Sequence, residues 1–279
     1  MSSDFMMTRR GALAGGSLLF CGPARAENGA FSPLEASGTR IGVAALDTGS
    51  DKRVLWRADE RFVMCSTFKL SLAAATLAKA DQGKETLGRP IRIGRDAPIG
   101  VSSVTSKHVG QDMTVAELSE AAVVFSDNGA ANTLLKALGG PAGLTAYWRS
   151  IGDSVTRLDD YELKLNIPDG ERNTTTPAAM LGNLKKWLLD DALSVASRDR
   201  LLKWMRTSTT GANRLHAGLP ANWQWGDKTG TSAEQYGLVN DIGIAVPPGR
   251  KPILMVAYTQ KSNEKTLAAI GGILAKAFA

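Results

Sequence analysis

Apolar and polar positions follow a strand pattern near both ends of the chain and a helix pattern in the middle. Five short apolar runs predict strands: 41–46, 54–56, 223–228, 238–246 and 253–259. The first two are joined by Asp47-Thr48-Gly49-Ser50, which is typical of a hairpin turn. A final helix is predicted over 264–278.

Between the two groups of strands, apolar residues recur with the period of a helix. Helices are predicted over 66–83, 114–125, 132–138, 177–189 and 198–205. The helix that begins at Ser66 is apolar on nearly all sides, which indicates a buried helix. Residues 157–176 are polar and lack a period, so we predict a long loop, and loops of that length are usually functional.

This order of elements predicts an α/β (α+β) fold. An antiparallel sheet flanked by helices forms from both chain ends, and an all-α domain is inserted between them. We expect residues 27–60 and 208–279 to make the α/β domain, and 61–207, with the 157–176 loop, to make the inserted domain.

Residues 1–26 have the pattern of an export signal. Arg9-Arg10 precedes a Gly- and Ala-rich apolar stretch, and Ala24-Arg25-Ala26 offers small residues around a cleavage point. The paired arginines indicate the twin-arginine route, and hence a periplasmic protein. A lipid anchor at Cys21 is the less favoured alternative, because bulky Phe20 precedes it. No other segment is long and apolar enough to span a membrane.

Charge and histidine content restrict the chemistry. The chain of 279 residues has a net charge of +6, with basic residues spread among acidic ones, so nucleic acid is a poor candidate partner. The two histidines, His108 and His216, cannot make a site of several His ligands, and we predict neither a metal nor a cofactor. We therefore expect acid–base chemistry to use lysines and carboxylates.

Ser66-Thr67-Phe68-Lys69 places a hydroxyl and an amine on one face of a helix. A serine needs an adjacent base to act as a nucleophile, and a lysine can serve when burial lowers its pKa. Ser262-Asn263-Glu264-Lys265 has the same spacing, but its polar surroundings indicate a solvated helix face.

Three further motifs lie at predicted joints or ends of elements. They are Ser126-Asp127-Asn128, the pair Glu162 and Asn166, and Lys228-Thr229-Gly230. Each motif alone is weak, but with Ser66 and Lys69 the ordered set resembles the class A serine β-lactamases, whose signature contains these sequences. The resemblance covers nearly all of the chain after the leader. It implies the inserted-domain fold, exported monomers and β-lactam antibiotics as substrates.

The resemblance also implies a role for each catalytic residue. Ser66 is the nucleophile, Lys69 and Glu162 are the alternative acylation bases, and Ser126 passes a proton to the leaving nitrogen. Glu162 and Asn166 hold the water that hydrolyses the acyl-enzyme.

The resemblance further implies which groups of this chain bind the substrate, as follows. Backbone N–H groups of Ser66 and Thr231 form the oxyanion hole. Asn128 binds the side-chain amide of the substrate. The substrate carboxylate is bound by Lys228, Thr229, Gly230, Thr231 and Arg214.

Two departures from the family pattern matter. The loop neck, usually closed by an Arg–Asp ion pair, has Asp160 and Asn173 here, so we expect the Asn173 amide to donate to Asp160 instead. Cys65 has Ser232 near its usual partner position in a carbapenem-hydrolysing subset, so that crosslink is absent. A cell-wall transpeptidase or carboxypeptidase, or a non-hydrolytic β-lactam sensor domain, remains an alternative function.

Overall fold

A five-stranded antiparallel sheet organises the molecule. The structure is a computed structural model that describes residues 29–36 and 38–279; the predicted export signal and Cys21 lie outside the described residues. In sheet order β2-β1-β9-β8-β7, the strands are Arg53–Trp56, Arg40–Asp47, Ile253–Gln260, Val239–Val246 and Gln224–Thr231. The predicted sheet built from both chain ends is confirmed, and β7 forms one edge.

Both faces of the sheet are covered, so its strands are almost continuously apolar. On β1, Ile41, Val43 and Ala45 face α1 (Ser32–Glu35) and α8 (Glu264–Ala277), while Ala44 and Leu46 face the other helices. This alternation is the two-residue period of a strand that is buried on both sides.

The second layer is helical. It contains α2 (Phe68–Asp81), α3 (Val115–Val124), α4 (Asn128–Leu138), α5 (Gly140–Ser150), α6 (Pro177–Leu188) and α7 (Val195–Arg206). Every residue of α2 from Phe68 to Ala78 is buried, which confirms the predicted central helix. Two small antiparallel pairs complete the layer: β3 (Phe62–Val63) with β6 (Thr174–Thr175), and β4 (Pro90–Arg92) with β5 (Asp112–Thr114). The exact domain boundaries stay a prediction.

Two helical predictions were incomplete. Helix α4 begins at Asn128 instead of residue 132, because the Asp127 side chain accepts from the Ala130 N–H and caps the helix there. Helix α5 was missed altogether. Gly139 adopts the left-handed conformation (φ 99°) that ends α4, but Gly140 and Pro141 begin α5 at once, so Gly-Gly-Pro is a helix boundary and not a loop.

Helix α8 packs closely against the segment Leu215–Gly218, and glycines of α8 lie at the contact. A Cβ at Gly271 would lie 2.2 Å from the carbonyl oxygen of Leu215, whereas one at Gly272 would make an ordinary 3.7 Å contact with that of Gly218. We expect Gly271→Ala to destabilise the protein by about 1–3 kcal/mol through overpacking. Gly272→Ala should stabilise it by about 0.5–1 kcal/mol through helix propensity. Urea unfolding of both variants measures this; equal effects would contradict the packing described.

Candidate active site

Ser66 lies where the edge of the sheet meets the buried helix. It occupies a one-turn helix, Cys65–Thr67, that leads directly into α2, and Cys65 is a buried free cysteine with φ +47°. The three-residue spacing brings Lys69 back over Ser66, and Lys69 Nζ donates to Ser66 Oγ at 2.9 Å. The local sequence thus produces the hydroxyl–amine pair that the motif predicts.

Lys69 is completely buried, and its ammonium group reaches several oxygens. It donates to the carbonyl of Ser126 at 2.8 Å and to Asn128 Oδ1 at 2.5 Å, and it lies 3.0 Å from Glu162 Oε1. Burial lowers the pKa of Lys69, while the Glu162 carboxylate acts in the opposite direction. The lysine is therefore held among acceptors with no access to solvent.

The Glu162 carboxylate contacts both the Ser66 hydroxyl and the Asn166 amide. Ser66 Oγ donates to its Oε1 at 3.2 Å, and Asn166 Nδ2 donates to its Oε2 at 2.6 Å. The Glu162–Leu163 peptide is cis. The structure thus brings Ser66, Lys69, Glu162 and Asn166 together, as the sequence analysis expected of a shared site.

Sequence reasoning missed Asn132, which fixes the backbone of Glu162. Asn132 Nδ2 donates to the Glu162 carbonyl at 3.0 Å, and its Oδ1 accepts from the Glu162 N–H at 3.0 Å. The available signal was position: Asn132 follows Asn128 by four residues, so both lie on one face of α4.

Asp127 was also missed as a clamp. Its buried carboxylate accepts from the backbone N–H groups of Val104, Thr105 and Ala130 and from the Thr105 hydroxyl. It therefore ties the segment before α3 to the start of α4, where Ser126 and Asn128 project.

Lys228 approaches Ser126 from the sheet side. Its Nζ donates to Ser126 Oγ at 3.1 Å and to the Thr229 carbonyl at 2.9 Å. Burial lowers the pKa of Lys228 to about 7, and the positive charge of Lys69 contributes in the same direction. Ser126 consequently lies between two buried lysines, since Lys69 Nζ is also 3.5 Å from its hydroxyl.

The edge strand β7 lies directly against the helix that carries Ser66. A Cβ at Gly230 would be 2.7 Å from the Met64 carbonyl oxygen, so only glycine permits this approach. The Ser232 N–H pairs with Leu238 across the ladder, and alternation along a strand directs the Thr231 N–H towards the free edge. Ser66 and Thr231 line the same cavity.

Arg214 lies buried beside the end of β7. It donates to the carbonyls of Gly230 and Asn240, to Thr231 Oγ1 at 2.7 Å, and to Glu264 Oε1 at 3.3 Å. Its guanidinium thus borders the cavity next to Thr231. His216 instead stacks on Trp225, away from these groups.

The neck of the 157–176 loop is closed around Asp160. The Asn173 amide donates to Asp160 at 3.0 Å, as expected, and its Oδ1 accepts from the N–H groups of Asp159 and Asp160. The sequence analysis did not foresee the ion pairs with Arg172 and Lys164, at 2.8 and 2.9 Å. Burial alone would raise the pKa of Asp160. The Asn173 amide, Lys164 and Arg172 together outweigh burial and lower this pKa to about 2.

Ser66, Ser126, Asn128, Asn166, Arg214, Thr229 and Thr231 line one cavity of about 580 Å³. Its walls come from Ser66, Ser126, Asn128, the 157–176 loop and the end of β7. Within residues 29–36 and 38–279, no group of three or more His, Cys, Asp or Glu side chains could hold a metal ion. None of the described helices is long and apolar enough to cross a bilayer.

Comparisons with known proteins agree with this arrangement. Residues 29–278 match the model of the β-lactamase enzyme family. The carbapenem-hydrolyzing β-lactamase KPC of Klebsiella oxytoca is 49% identical over 84% of this chain and 80% of its own length. The β-lactamase AST-1 of Nocardia asteroides is 46% identical over 84% and 76%, respectively.

Solved structures show the same fold. The class A β-lactamase of the last common ancestor of Gram-negative bacteria superposes with a TM-score of 0.86 at 52% identity, covering 89% of this chain and 98% of that one. Fold and site together define a serine hydrolase with an inserted helical domain. The chain belongs to the β-lactamase enzyme family, and within it to the class A serine β-lactamases.

Two adjacent residues, Arg172 and Asn173, both contact Asp160 at the loop neck. Asn173→Ala removes a buried side chain and leaves the N–H groups of Asp159 and Asp160 unpaired, which we expect to cost about 2–3 kcal/mol. Arg172→Ala removes two surface ion pairs, with Asp160 and Asp169, and should cost less than about 1 kcal/mol. Amide hydrogen exchange over 157–176 should accelerate much more in the first variant, and equal acceleration would show that the ion pair closes the neck.

Proposed function

We propose that this β-lactamase opens the lactam ring through an ester on Ser66 and then hydrolyses that ester. The observation that carries the proposal is the position of Glu162, whose carboxylate contacts Ser66 on one side and Asn166 on the other. A single group can therefore act in both steps of the reaction.

In the first step, Ser66 Oγ bonds to the lactam carbonyl carbon and the ring C–N bond breaks. Lys69 already donates to Ser66 Oγ, so the acceptor available for the serine proton is the Glu162 carboxylate. This geometry favours Glu162 over Lys69 as the acylation base. The N–H groups of Ser66 and Thr231 would stabilise the developing oxyanion.

The ring nitrogen needs a proton when it leaves. Ser126 can deliver its hydroxyl proton and recover one from Lys69, whose Nζ lies 3.5 Å from Ser126 Oγ and 3.0 Å from Glu162 Oε1. Lys69 then takes the proton that Glu162 received from Ser66, which restores the carboxylate for the second step. Lys228, which also donates to Ser126 Oγ, holds that hydroxyl in place. The lowered pKa of Lys69 helps this transfer, because a lysine with a lowered pKa releases its proton more readily.

In the second step, a water oxygen bonds to the ester carbon and the bond from that carbon to Ser66 Oγ breaks. Ser66 Oγ then recovers a proton from Glu162, 3.2 Å away. Asn166 Oδ1 is buried and has no hydrogen-bond partner among the described residues, and its Nδ2 is fixed on Glu162. The amide oxygen and the carboxylate thus offer two acceptors for one water beside Ser66, with Glu162 taking its proton. A penicillin-binding transpeptidase would not need this pair.

Substrate binding uses the two ends of the cavity. Thr229 and Thr231 line the cavity, and with Lys228, whose Nζ donates to Ser126 Oγ, they bind the carboxylate next to the ring. Gly230 lets β7 approach the segment that carries Ser66. Arg214 adds positive charge behind Thr231. Asn128 binds the side-chain amide of the substrate through Nδ2, because its Oδ1 is occupied by Lys69.

We further propose that the enzyme acts as an exported, periplasmic monomer. The paired arginines and small residues of the leader support export. The site supports a monomer, because one chain supplies every side chain in it.

Glu162→Gln tests the two-step route. The variant loses the base for both steps, and we expect deacylation to slow at least about 1000-fold. Acylation slows less, because Lys69 still contacts Ser66 Oγ and its lowered pKa lets it serve as the remaining base, so an adduct accumulates on Ser66. Intact-protein mass spectrometry after mixing with benzylpenicillin measures the adduct. The control is Glu171→Gln, which changes an exposed carboxylate of the same loop and should turn over normally. Rapid multiple turnover by Glu162→Gln would refute the assignment of Glu162.

A further inference from the structure

Two carboxyl groups are buried in the sheet beside Lys228, and the proposed reaction uses neither of them. Asp227 on β7 is 2% exposed, and Asp241 on β8 is fully buried. Oδ2 of Asp227 and Oδ1 of Asp241 have no hydrogen-bond partner among the described residues. An ionised carboxylate is strongly destabilising in a protein interior unless a donor or a cation satisfies it, so these two side chains need a physical explanation.

The strand register places the two side chains next to each other on one face of the sheet. Asp241 pairs with Thr229, which lies two residues after Asp227 on β7, so the two aspartates are diagonal neighbours. Trp225 of β7 and Val239 of β8 pack into the core on the α8 side of the sheet. Because side chains alternate along a strand, Asp227 and Asp241 point to that same side.

The surrounding backbone encloses both carboxyls. A Cβ at Gly211 would lie 1.4 Å from Asp227 Oδ2, so only glycine leaves room for that carboxyl. The Leu215 N–H donates to Asp241 Oδ2 at 3.1 Å and satisfies the second oxygen of Asp241. Each aspartate thus keeps one buried oxygen for which the described residues supply no donor.

The other titratable side chains on the elements packed around the pair are engaged elsewhere. Arg214 donates to Glu264 of α8 at 3.3 Å, and Lys228 donates to Ser126 Oγ at 3.1 Å. His216 stacks on a tryptophan ring. The partner left for the two carboxyls is therefore a proton.

Two ionised carboxylates at these positions would repel each other where water does not reach. Burial raises the pKa of Asp241 well above its ordinary value, and the negative charge of Asp227 adds to that rise. Arg214 and Lys228 act in the opposite direction without outweighing it. One proton, donated by one carboxyl and accepted by the other, removes the repulsion and satisfies both unpaired oxygens.

The same two aspartates act on Lys228, which follows Asp227 on β7. Burial lowers the pKa of Lys228 most, and the positive charges of Lys69 and Arg214 add to that effect. Asp227 and Asp241 act in the opposite direction. Without their negative charge, Lys228 would lose its proton at a lower pH and would attract an anionic substrate group less strongly.

We propose that Asp227 and Asp241 share one proton and act as positioning residues for the substrate carboxylate, because their single negative charge keeps Lys228 protonated. The shared proton stands on the burial, the register and the unpaired oxygens of the two side chains. The effect on substrate rests on the proposed function, in which Lys228 binds the carboxylate next to the ring.

The pH dependence of stability tests the shared proton without any substrate. Asp241→Asn keeps a donor to Asp227 and one negative charge, but it removes the shared proton. In the wild type, the folded state retains one proton that the unfolded state releases above a pH of about 4. We therefore expect the folding equilibrium constant of the wild type, relative to that of Asp241→Asn, to fall about tenfold per pH unit between about pH 5 and 7.

Urea unfolding at a series of pH values measures this ratio. Asp227→Asn is the second variant and should give the same pH dependence, since either carboxyl can accept from an amide at the other position. The matched control is Asp199→Asn, an exposed aspartate of α7, whose stability should follow that of the wild type at every pH. A ratio that does not change with pH in either variant would overturn the shared proton.

The pH profile of turnover tests the effect on Lys228. Asp227→Asn combined with Asp241→Asn removes the negative charge and keeps the shape of both side chains. We expect the alkaline limb of kcat/KM for benzylpenicillin to move about one unit to lower pH in the double variant and to stay in place in each single variant. A merely structural role would lower kcat/KM equally at every pH, and an unmoved limb in the double variant would overturn the role of the pair in carboxylate binding.

The two measurements separate this inference from the proposed function. Wild-type protein that does not hydrolyse benzylpenicillin contradicts the proposed function, and the role of the pair in carboxylate binding falls with it. The comparison of stability across pH still decides whether the two aspartates share a proton.

Discussion

The buried ion pair between Lys69 and Glu162 is the interaction on which the site depends. Both side chains are fully buried and their charged atoms lie 3.0 Å apart. Removing two charges from water costs several kcal/mol per ion, and the attraction offsets this only when further hydrogen bonds satisfy both groups. Here Ser66, Asn128 and the Ser126 carbonyl surround the ammonium, and Asn166 binds the carboxylate. The residues proposed for catalysis thus also stabilise the ion pair.

This requirement explains why so many separate elements meet at one point. Helix α2 brings Lys69, the joint before α4 brings Ser126, the loop brings Glu162, and β7 brings Lys228. Asn132 and Asp127 take no part in the proposed reaction. Asn132 fixes the Glu162 backbone and Asp127 fixes the α3–α4 joint, so the ion pair and its hydrogen-bond acceptors keep their positions. The second buried lysine, Lys228, then experiences the charge of the first, which contributes to its lowered pKa.

Much of the fold and site follows from the sequence because its signals are local. A buried helix with Ser66 and Lys69 one turn apart, strands with turn residues between them, and a polar loop around Glu162 can each be recognised within a few residues.

The missed features arise from contacts between distant segments. The roles of Asn132 and Asp127 need the loop and the segment before α3 to be in place. The ion pairs of Asp160 with Arg172 and Lys164 depend on how the 157–176 loop folds back. Helix α5 was missed because the sequence Gly139-Gly140-Pro141, taken alone, indicates only the end of a helix. In the structure Gly139 ends α4, and the next two residues begin α5.

The most direct test of the account is to count the equivalents of a chromogenic cephalosporin that the purified protein consumes from the first second to an hour. If Glu162 and Asn166 direct water at the ester on Ser66, consumption continues through many equivalents per enzyme without a pause. A burst of one equivalent that then stops would show that Ser66 is activated but the ester is not hydrolysed. That result would contradict the central role assigned to the Glu162 carboxylate.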